Sequence, residues 1–150
     1  MRAVIQRVDG ASVSVDGRVV ARISRGLMVL VGVENSDTGD DLAFVKRKIV
    51  NLRVFDDPDG RMNLALREIG GSILLVSQFT LHGDTRRGNR PDFTRAAPAE
   101  RARELYNQLV SEIRAEGIPV ESGVFQAMMK VHLINDGPVT LIVDSRKEFF

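Results

Sequence analysis

The sequence predicts an α/β fold in which a mixed sheet, or a pair of sheets, carries helices on one side. Two observations point there: strand-like segments outnumber helix-like ones, and both amphipathic helices connect strands rather than each other. The length of 150 residues favours one domain over 1–150. At that size one core buries roughly 68–70% of the unfolded chain's surface without a covalent staple.

The elements follow in order. Ala3-Val4-Ile5 and Ala11–Val15 are short and β-prone, and Asp16-Gly17 is a hairpin turn leading into Arg18–Ile23. Leu27–Val33, entered through Gly26, is a continuous apolar run that fits a buried strand. Thr38-Gly39-Asp40-Asp41 opens a helix whose stripe is Leu42, Val45, Ile49 and Leu52. Asp56-Asp57-Pro58-Asp59-Gly60 reads as a turn; it lacks the downstream glutamate of a calcium loop. Ser72–Leu81 reads as a second strong strand, with Ile73, Leu75, Ser77, Phe79 and Leu81 sharing one face. A polar loop over 82–97 carries four arginines, Arg86, Arg87, Arg90 and Arg95, against Asp84 and Asp92. Arginine with glycine and asparagine suits phosphate contacts, though a solvated loop fits the composition equally. Pro98–Glu116 is the clearest helix, with Ala102, Leu105, Leu109 and Ile113 on one face and Gly117 at its end. Strands around Pro119-Val120, over Lys130–Ile134 and over Val139–Val143 close the chain.

Composition narrows the function classes. Apolar residues at 43% and charged residues at 27% describe a packed globular chain. A formal net charge of +1 means that any nucleic-acid footprint is local. The absence of cysteine removes disulfides, thiolate nucleophiles and cysteine-based zinc sites. His82 and His132 form no ligand pair, so neither a metal nor, without a glycine-rich phosphate motif, a nucleotide cofactor is expected. No apolar run reaches the roughly 18 residues of a spanning helix, and Met1–Val8 does not read as a signal peptide. A cytoplasmic protein without a membrane partner is the expectation.

Two segments carry candidate chemistry. Ser77-Gln78-Phe79-Thr80 stands where an apolar strand turns polar before a loop, a common place for ligand contacts; a solvent-facing strand edge is the competing reading. Thr80 as a nucleophile needs a base, and His82, two residues on along a strand, lies nearly ~7 Å away, too far for direct proton transfer. Asn135-Asp136-Gly137-Pro138-Val139-Thr140 reads as a turn between strands. It also reads as a rigid backbone in which Gly137, lacking a side chain, lets a carbonyl approach a small ligand and test its handedness.

Those two motifs in order, with Met1–Val8, Asn51-Leu52-Arg53-Val54-Phe55, Met62-Asn63 and Gly88-Asn89-Arg90-Pro91-Asp92-Phe93, closely resemble the D-aminoacyl-tRNA deacylase family over essentially the whole chain. The resemblance implies an α/β structure with a barrel-like core and a homodimer with active sites at its interface. It implies hydrolysis of the ester joining a D-amino acid, or mischarged glycine, to the 3′ end of tRNA, with no metal or cofactor. By the same resemblance Ser77, Gln78, Phe79 and Thr80 line the reaction centre. Gly137 and Pro138, joined by a cis bond and inserted into the other subunit, form a chiral filter. Arg7 braces that segment, Asn135 belongs to its motif, and Phe125 and Met129 match a pocket for the terminal adenosine. The chain departs from the family pattern at Gln126, where glycine is usual, and at Met128, where a polar residue is usual. Two other classes stay open: a non-catalytic RNA-binding module resting on the arginine loop, and a metal-dependent hydrolase using His82 and His132. The C-terminal Glu148-Phe149-Phe150 is a candidate part of a two-fold interface.

Overall fold

The computed structural model describes residues 1–149, so Phe150 lies outside the described residues. The elements run β1 (Arg2–Val15), β2 (Arg18–Ile23), β3 (Gly26–Gly32), α1 (Gly39–Asn51), β4 (Phe55–Asp56), β5 (Met62–Leu64), β6 (Ser72–Ser77), a 3-10 turn (Phe79–His82), α2 (Ala99–Ala115), β7 (Val120–Ser122) and β8 (Lys130–Asp144).

β1 organises the sheet. β3 pairs antiparallel with its first half and β2 with its second, while β8 runs antiparallel along almost its whole length on the other edge. β6 then joins β3 in parallel, and β7 joins β6 in parallel. The sheet curls into a nearly closed, barrel-like core with both helices against its outer face. The β1–β2 hairpin turns on Asp16 and Gly17, whose φ values of 49° and 76° are the two positive angles that a two-residue turn of this hand requires.

Each face of the sheet has its own core. Ile5, Leu27, Val29, Val31, Ile73 and Leu75 pack toward Leu42, Val45 and Ile49 of α1 and Leu105, Leu109 and Ile113 of α2. Val8, Val13, Ile23, Met28, Leu74 and Val76 fill the interior of the curl. β3 and β6 are therefore covered on both sides, which is why they read as unbroken apolar runs. The helices are tied to each other by Lys46, which reaches Glu112 at 3.0 Å and Glu116 at 3.3 Å. Asp41 starts α1 by accepting the Thr38 backbone N–H at 2.9 Å. In the turn between β4 and β5, the Asp57 carboxylate accepts from the N–H groups of Asp59 and Arg61, so it serves the turn itself.

The structure corrects three boundaries. Ala3–Ile5 and Ala11–Val15 belong to one continuous strand, because bulges opposite β8 carry it past Asp9-Gly10 without a break in pairing. Lys130–Ile134 and Val139–Val143 are likewise two ends of one strand, and the Gly-Pro segment is a bulge inside it. The strand expected over Ser72–Leu81 ends at Ser77. Gln78 still donates its N–H to Val31 at 2.7 Å, after which the chain folds over the end of β3. Gly32 permits this: a Cβ there would lie 2.8 Å from the Gln78 carbonyl oxygen and 3.0 Å from His82 Cδ2. Strict alternation fails from here on, leaving Phe79 57% exposed and His82 1% exposed.

His82 is enclosed with neither ring nitrogen in hydrogen-bond geometry. Burial, helped by the nearby Arg2 and Met1 cations, lowers its pKa from the usual imidazole range. The unfolded chain then takes up this proton first, at about pH 6.5. The stabilisation is complete above that pH and declines as pH falls below it. Wild-type stability in urea should drop more steeply than that of a His82→Leu variant between about pH 7 and pH 5; parallel slopes would contradict this.

Gly26 gives a second test. A Cβ there would sit 1.9 Å from the Ser72 carbonyl oxygen, across the β3–β6 pairing, whereas a Cβ on Gly39 meets nothing within 4 Å. Gly26→Ala should cost about 3 kcal/mol or more, and Gly39→Ala should be neutral or stabilising by up to about 1 kcal/mol. Urea melts in which the two variants behave alike would refute this reading of the sheet.

Candidate active site

A cavity of about 570 Å³ opens where β6 ends. Ser77, Gln78 and Phe79 form one wall, Phe125 and Met129 another, and small side chains, among them Ala97 and Ala102, leave the space between them open. Tyr106 closes the back. Its hydroxyl donates to the Leu75 carbonyl at 2.8 Å, and burial pushes the phenol up to about 12. A phenol so held is neutral at physiological pH and acts as wall rather than as acid or base.

The 3-10 turn sets the polar groups at the mouth. The first N–H groups of a helical turn have no partner within it, and here these belong to Phe79 and Thr80. Thr80 is exposed, and its hydroxyl accepts from the Gln78 side-chain amide. An amide donor cannot take a proton from it. His82, on the same turn, points into the core instead. The Thr80–His82 pairing weighed from the sequence is therefore not assembled, and the nearby Asp84 is engaged by Arg86.

Phe125 stands against Tyr106, with centroids 5.9 Å apart, and under the Arg103 guanidinium at 5.1 Å. Arg103 also donates to the Gln126 side chain at 2.7 Å. Gln126 has φ 64°, in the left-handed region that favours glycine. The departure noted in the sequence thus falls on a backbone position suited to glycine, and the Arg103 bond holds the longer residue there. Met128 is 92% exposed at the same rim.

Gly137 and Pro138 lie elsewhere in the chain. Between the Val8–Asn135 and Gln6–Thr140 pairs, β1 places only Arg7, whereas β8 places Asp136, Gly137, Pro138 and Val139. The surplus loops outward, with a cis Gly137-Pro138 bond and Gly137 at φ 126°. Asn135 closes the neck of the bulge: its side chain donates to Thr140 Oγ1 at 2.8 Å and accepts from the Val139 N–H at 3.1 Å. Arg7, buried beneath, donates through Nε to the Asp136 carbonyl at 3.1 Å and through a terminal nitrogen to the Val54 carbonyl at 2.8 Å. The carboxylates of Asp56 and Asp136 complete its shell at 3.3 Å and 3.1 Å.

Register separates the two segments. Arg7 pairs with Leu27, and Leu27 with Ile73. Ser77 lies four residues farther along β6, roughly 13 Å along the strands and roughly 10 Å across them. Ser77, Gln78, Phe79, Phe125 and Met129 thus share one cavity with Thr80 beside its mouth, while Arg7, Asn135, Gly137 and Pro138 form a second cluster. Sequence reasoning missed Tyr106 and Arg103. The run Ala96-Ala97-Pro98-Ala99, too small to fill a core position, was the available signal for the cavity.

The sequence profile described as D-Tyr-tRNA(Tyr) deacylase matches residues 4–144. A D-aminoacyl-tRNA deacylase of Kosmotoga olearia is 56% identical, and one of Syntrophobacter fumaroxidans 53%; each alignment covers 99% of this chain and 100% of the relative. A solved structure described as c-Myc DNA Unwinding Element Binding Protein superimposes with a TM-score of 0.92 at 43% identity, covering 96% of this chain and 98% of that one. Another, described as a probable eukaryotic D-amino acid tRNA deacylase, shares the fold with a TM-score of 0.81 at 21% identity, over 95% of this chain and 98% of that one. This chain belongs to the D-Tyr-tRNA(Tyr) deacylase family.

Proposed function

We propose that the protein hydrolyses the ester joining a D-amino acid to the 3′ end of tRNA, releasing the amino acid and the tRNA, and that it clears glycine mischarged on tRNA by the same route. The observation that carries this reading is whole-chain likeness to deacylases combined with a cavity at the end of β6 walled by Ser77, Gln78 and Phe79, the last of which opens a turn whose first N–H groups have no partner within it. A tRNA substrate implies action in the cytoplasm, and the route uses no metal or cofactor.

The terminal adenosine enters between Phe125 and Met129, and the ester carbonyl lies over Phe79 and Thr80. Water attacks the carbonyl carbon, and the developing oxyanion is held by the two backbone N–H groups. The attacking water gives up a proton, the neighbouring 2′-hydroxyl of the ribose relays it, and the tetrahedral intermediate collapses as the 3′ oxygen takes that proton and leaves as a hydroxyl. An aminoacyl ester is already reactive, so positioning and charge stabilisation carry the acceleration. Thr80 and Gln78 orient the substrate.

The Gly137-Pro138 bulge supplies the stereochemical test from a second copy of the chain. Within one chain it is too far from Ser77–Thr80 to touch a shared substrate, and Gly137 and Pro138 are exposed above the Arg7 that holds the Asp136 carbonyl. An L side chain would be directed into that backbone, a D side chain away from it, and glycine presents none. The dimer is the form in which both segments meet. Of the C-terminal residues considered for its interface, Glu148 is held by Arg2 and Arg95 of its own chain, and Phe149 lies under Arg2 at 4.5 Å.

The relative named for DNA binding supports a rival reading, a nucleic-acid-binding module without turnover. Single-turnover release of the amino acid from a D-aminoacyl-tRNA decides between them.

Thr80→Ala should lower kcat by no more than about tenfold, a loss of roughly 1.4 kcal/mol in the transition state. A loss of several orders of magnitude would make Thr80 a nucleophile and defeat the substrate-assisted route. With matched D- and L-aminoacyl-tRNAs, hydrolysis should be confined to the D-ester and to glycyl-tRNA. Comparable rates on the L-ester would remove the filter from the account.

A further inference from the structure

The rim of the cavity carries a feature that ester hydrolysis does not use. Phe79 and Phe93 meet edge to face, with centroids 5.2 Å apart and planes at 72°. Both stay open to solvent, at 57% and 37%. Paired exposed aromatics beside a site mark an interaction surface. The arrangement is built rather than loose. Gly83 makes room for the ring of Phe93, since a Cβ there would lie 2.9 Å from Phe93 Cε1. Next to it the chain is pinched by reciprocal backbone bonds between Asp84 and Asp92, at 2.7 Å and 2.9 Å.

Beyond the pinch, residues 85–91 form an exposed tip with three arginines. Arg86 is taken up by Asp84, whose carboxyl it holds well below the usual carboxylate range. Arg95, behind the pinch, is taken up by Glu34 and Glu148. Arg87 and Arg90 are exposed and enter no ion pair among the described residues. Two uncommitted cations thus lie on the tip of the loop that carries Phe93, and Phe93 meets Phe79, which also lines the cavity.

We infer that this rim is a binding site for the unpaired RNA strand leading into the cavity. The nucleotide preceding the terminal adenosine stacks its base on Phe93, with Phe79 at its edge, and Arg87 and Arg90 take the adjoining phosphates. The inference rests on the deacylase reading, because the acylated end in the cavity sets where the strand emerges. Aromatic rings accept only bases free of duplex stacking, and every base has a face to offer. The charge matches the phosphate backbone. The site therefore selects single-stranded RNA over duplex without choosing among sequences.

Two measurements test it. Fluorescence anisotropy compares an unacylated RNA hairpin bearing a four-nucleotide 3′ overhang with the same hairpin blunt-ended. The wild type binds the overhang more tightly. Phe93→Leu and the double variant Arg87→Ala/Arg90→Ala each weaken overhang binding, by roughly 5- to 100-fold for the stacking residue. The double variant, altered only at exposed positions, also flattens the salt dependence by about 1.4 in log–log slope, two phosphates at about 0.7 each. Equal binding of the two hairpins, or variants that keep the wild-type preference, overturns the proposal. Kinetics on D-aminoacyl-tRNA and on D-aminoacyl-adenosine supply the second measurement. The variants raise KM for the tRNA and leave kcat, and both constants for the adenosine ester, unchanged. Equal losses on both substrates overturn the proposal as well. A wild type that cleaves neither ester yet prefers the overhang sinks the deacylase reading while the strand site stands.

Discussion

Four residues of β8 stand opposite one residue of β1, and much of the molecule follows from that mismatch. Two long strands that pair on both sides of it have nowhere to place the surplus except outward. Arg7 is the single β1 residue at the gap, and it is buried with its donors turned to the Asp136 and Val54 carbonyls. A guanidinium in that position needs every partner it has, since breaking a buried pair costs about 3–5 kcal/mol. The bulge is therefore fixed from below by a charge that cannot easily leave. The sheet's longest ladder, between β1 and β8, also holds the bulge from both sides.

The other end of the sheet solves a different problem. β3 and β6 are buried on both faces, and the chain leaves the sheet where β6 ends at Ser77. The chain uses that end by folding Phe79–His82 over Gly32. One side of this turn, His82, is sunk in the core, and the other presents the Phe79 and Thr80 N–H groups. The core side anchors what the solvent side offers. Small residues on the segment leading into α2 then leave the cavity open, with Tyr106 and Phe125 as its walls.

Much of this was legible in the sequence where a residue's neighbours along the chain decide its place. The Asp16-Gly17 hairpin, the stripes of both helices and the buried strand over Leu27–Val33 are of that kind, and α1 and α2 fall within a residue or two of their expected bounds. The motif Ser77–Thr80 was legible as a site by its polarity, but its geometry was not. Alternation carried the strand to Leu81, whereas a contact distant in sequence, Gly32 against Gln78 and His82, ends it four residues earlier. The Gly-Pro segment read as a turn between two strands, because a bulge and a turn share the same residues and differ only in what pairs on either side. Gln126 stood out as a departure from a family pattern, and the positive φ there gives the departure a physical meaning. Phe93 stood in a motif shared with the family, but one phenylalanine in a polar loop has no periodicity to show what its ring meets.

The central claim is that the two segments, separate in one chain, act together across a pair of chains. A heterodimer tests it most directly. One subunit carries Phe79→Pro, which removes an N–H donor, and the other carries Gly137→Val, which puts a side chain where Arg7 and Val139 already crowd the backbone. Each homodimer should fail to clear D-aminoacyl-tRNA selectively. The purified heterodimer holds one site with both segments intact, and by two-fold symmetry it should recover about half the wild-type turnover with full preference for the D-ester. A heterodimer as defective as its parents would show that each chain completes its own site, contrary to the account.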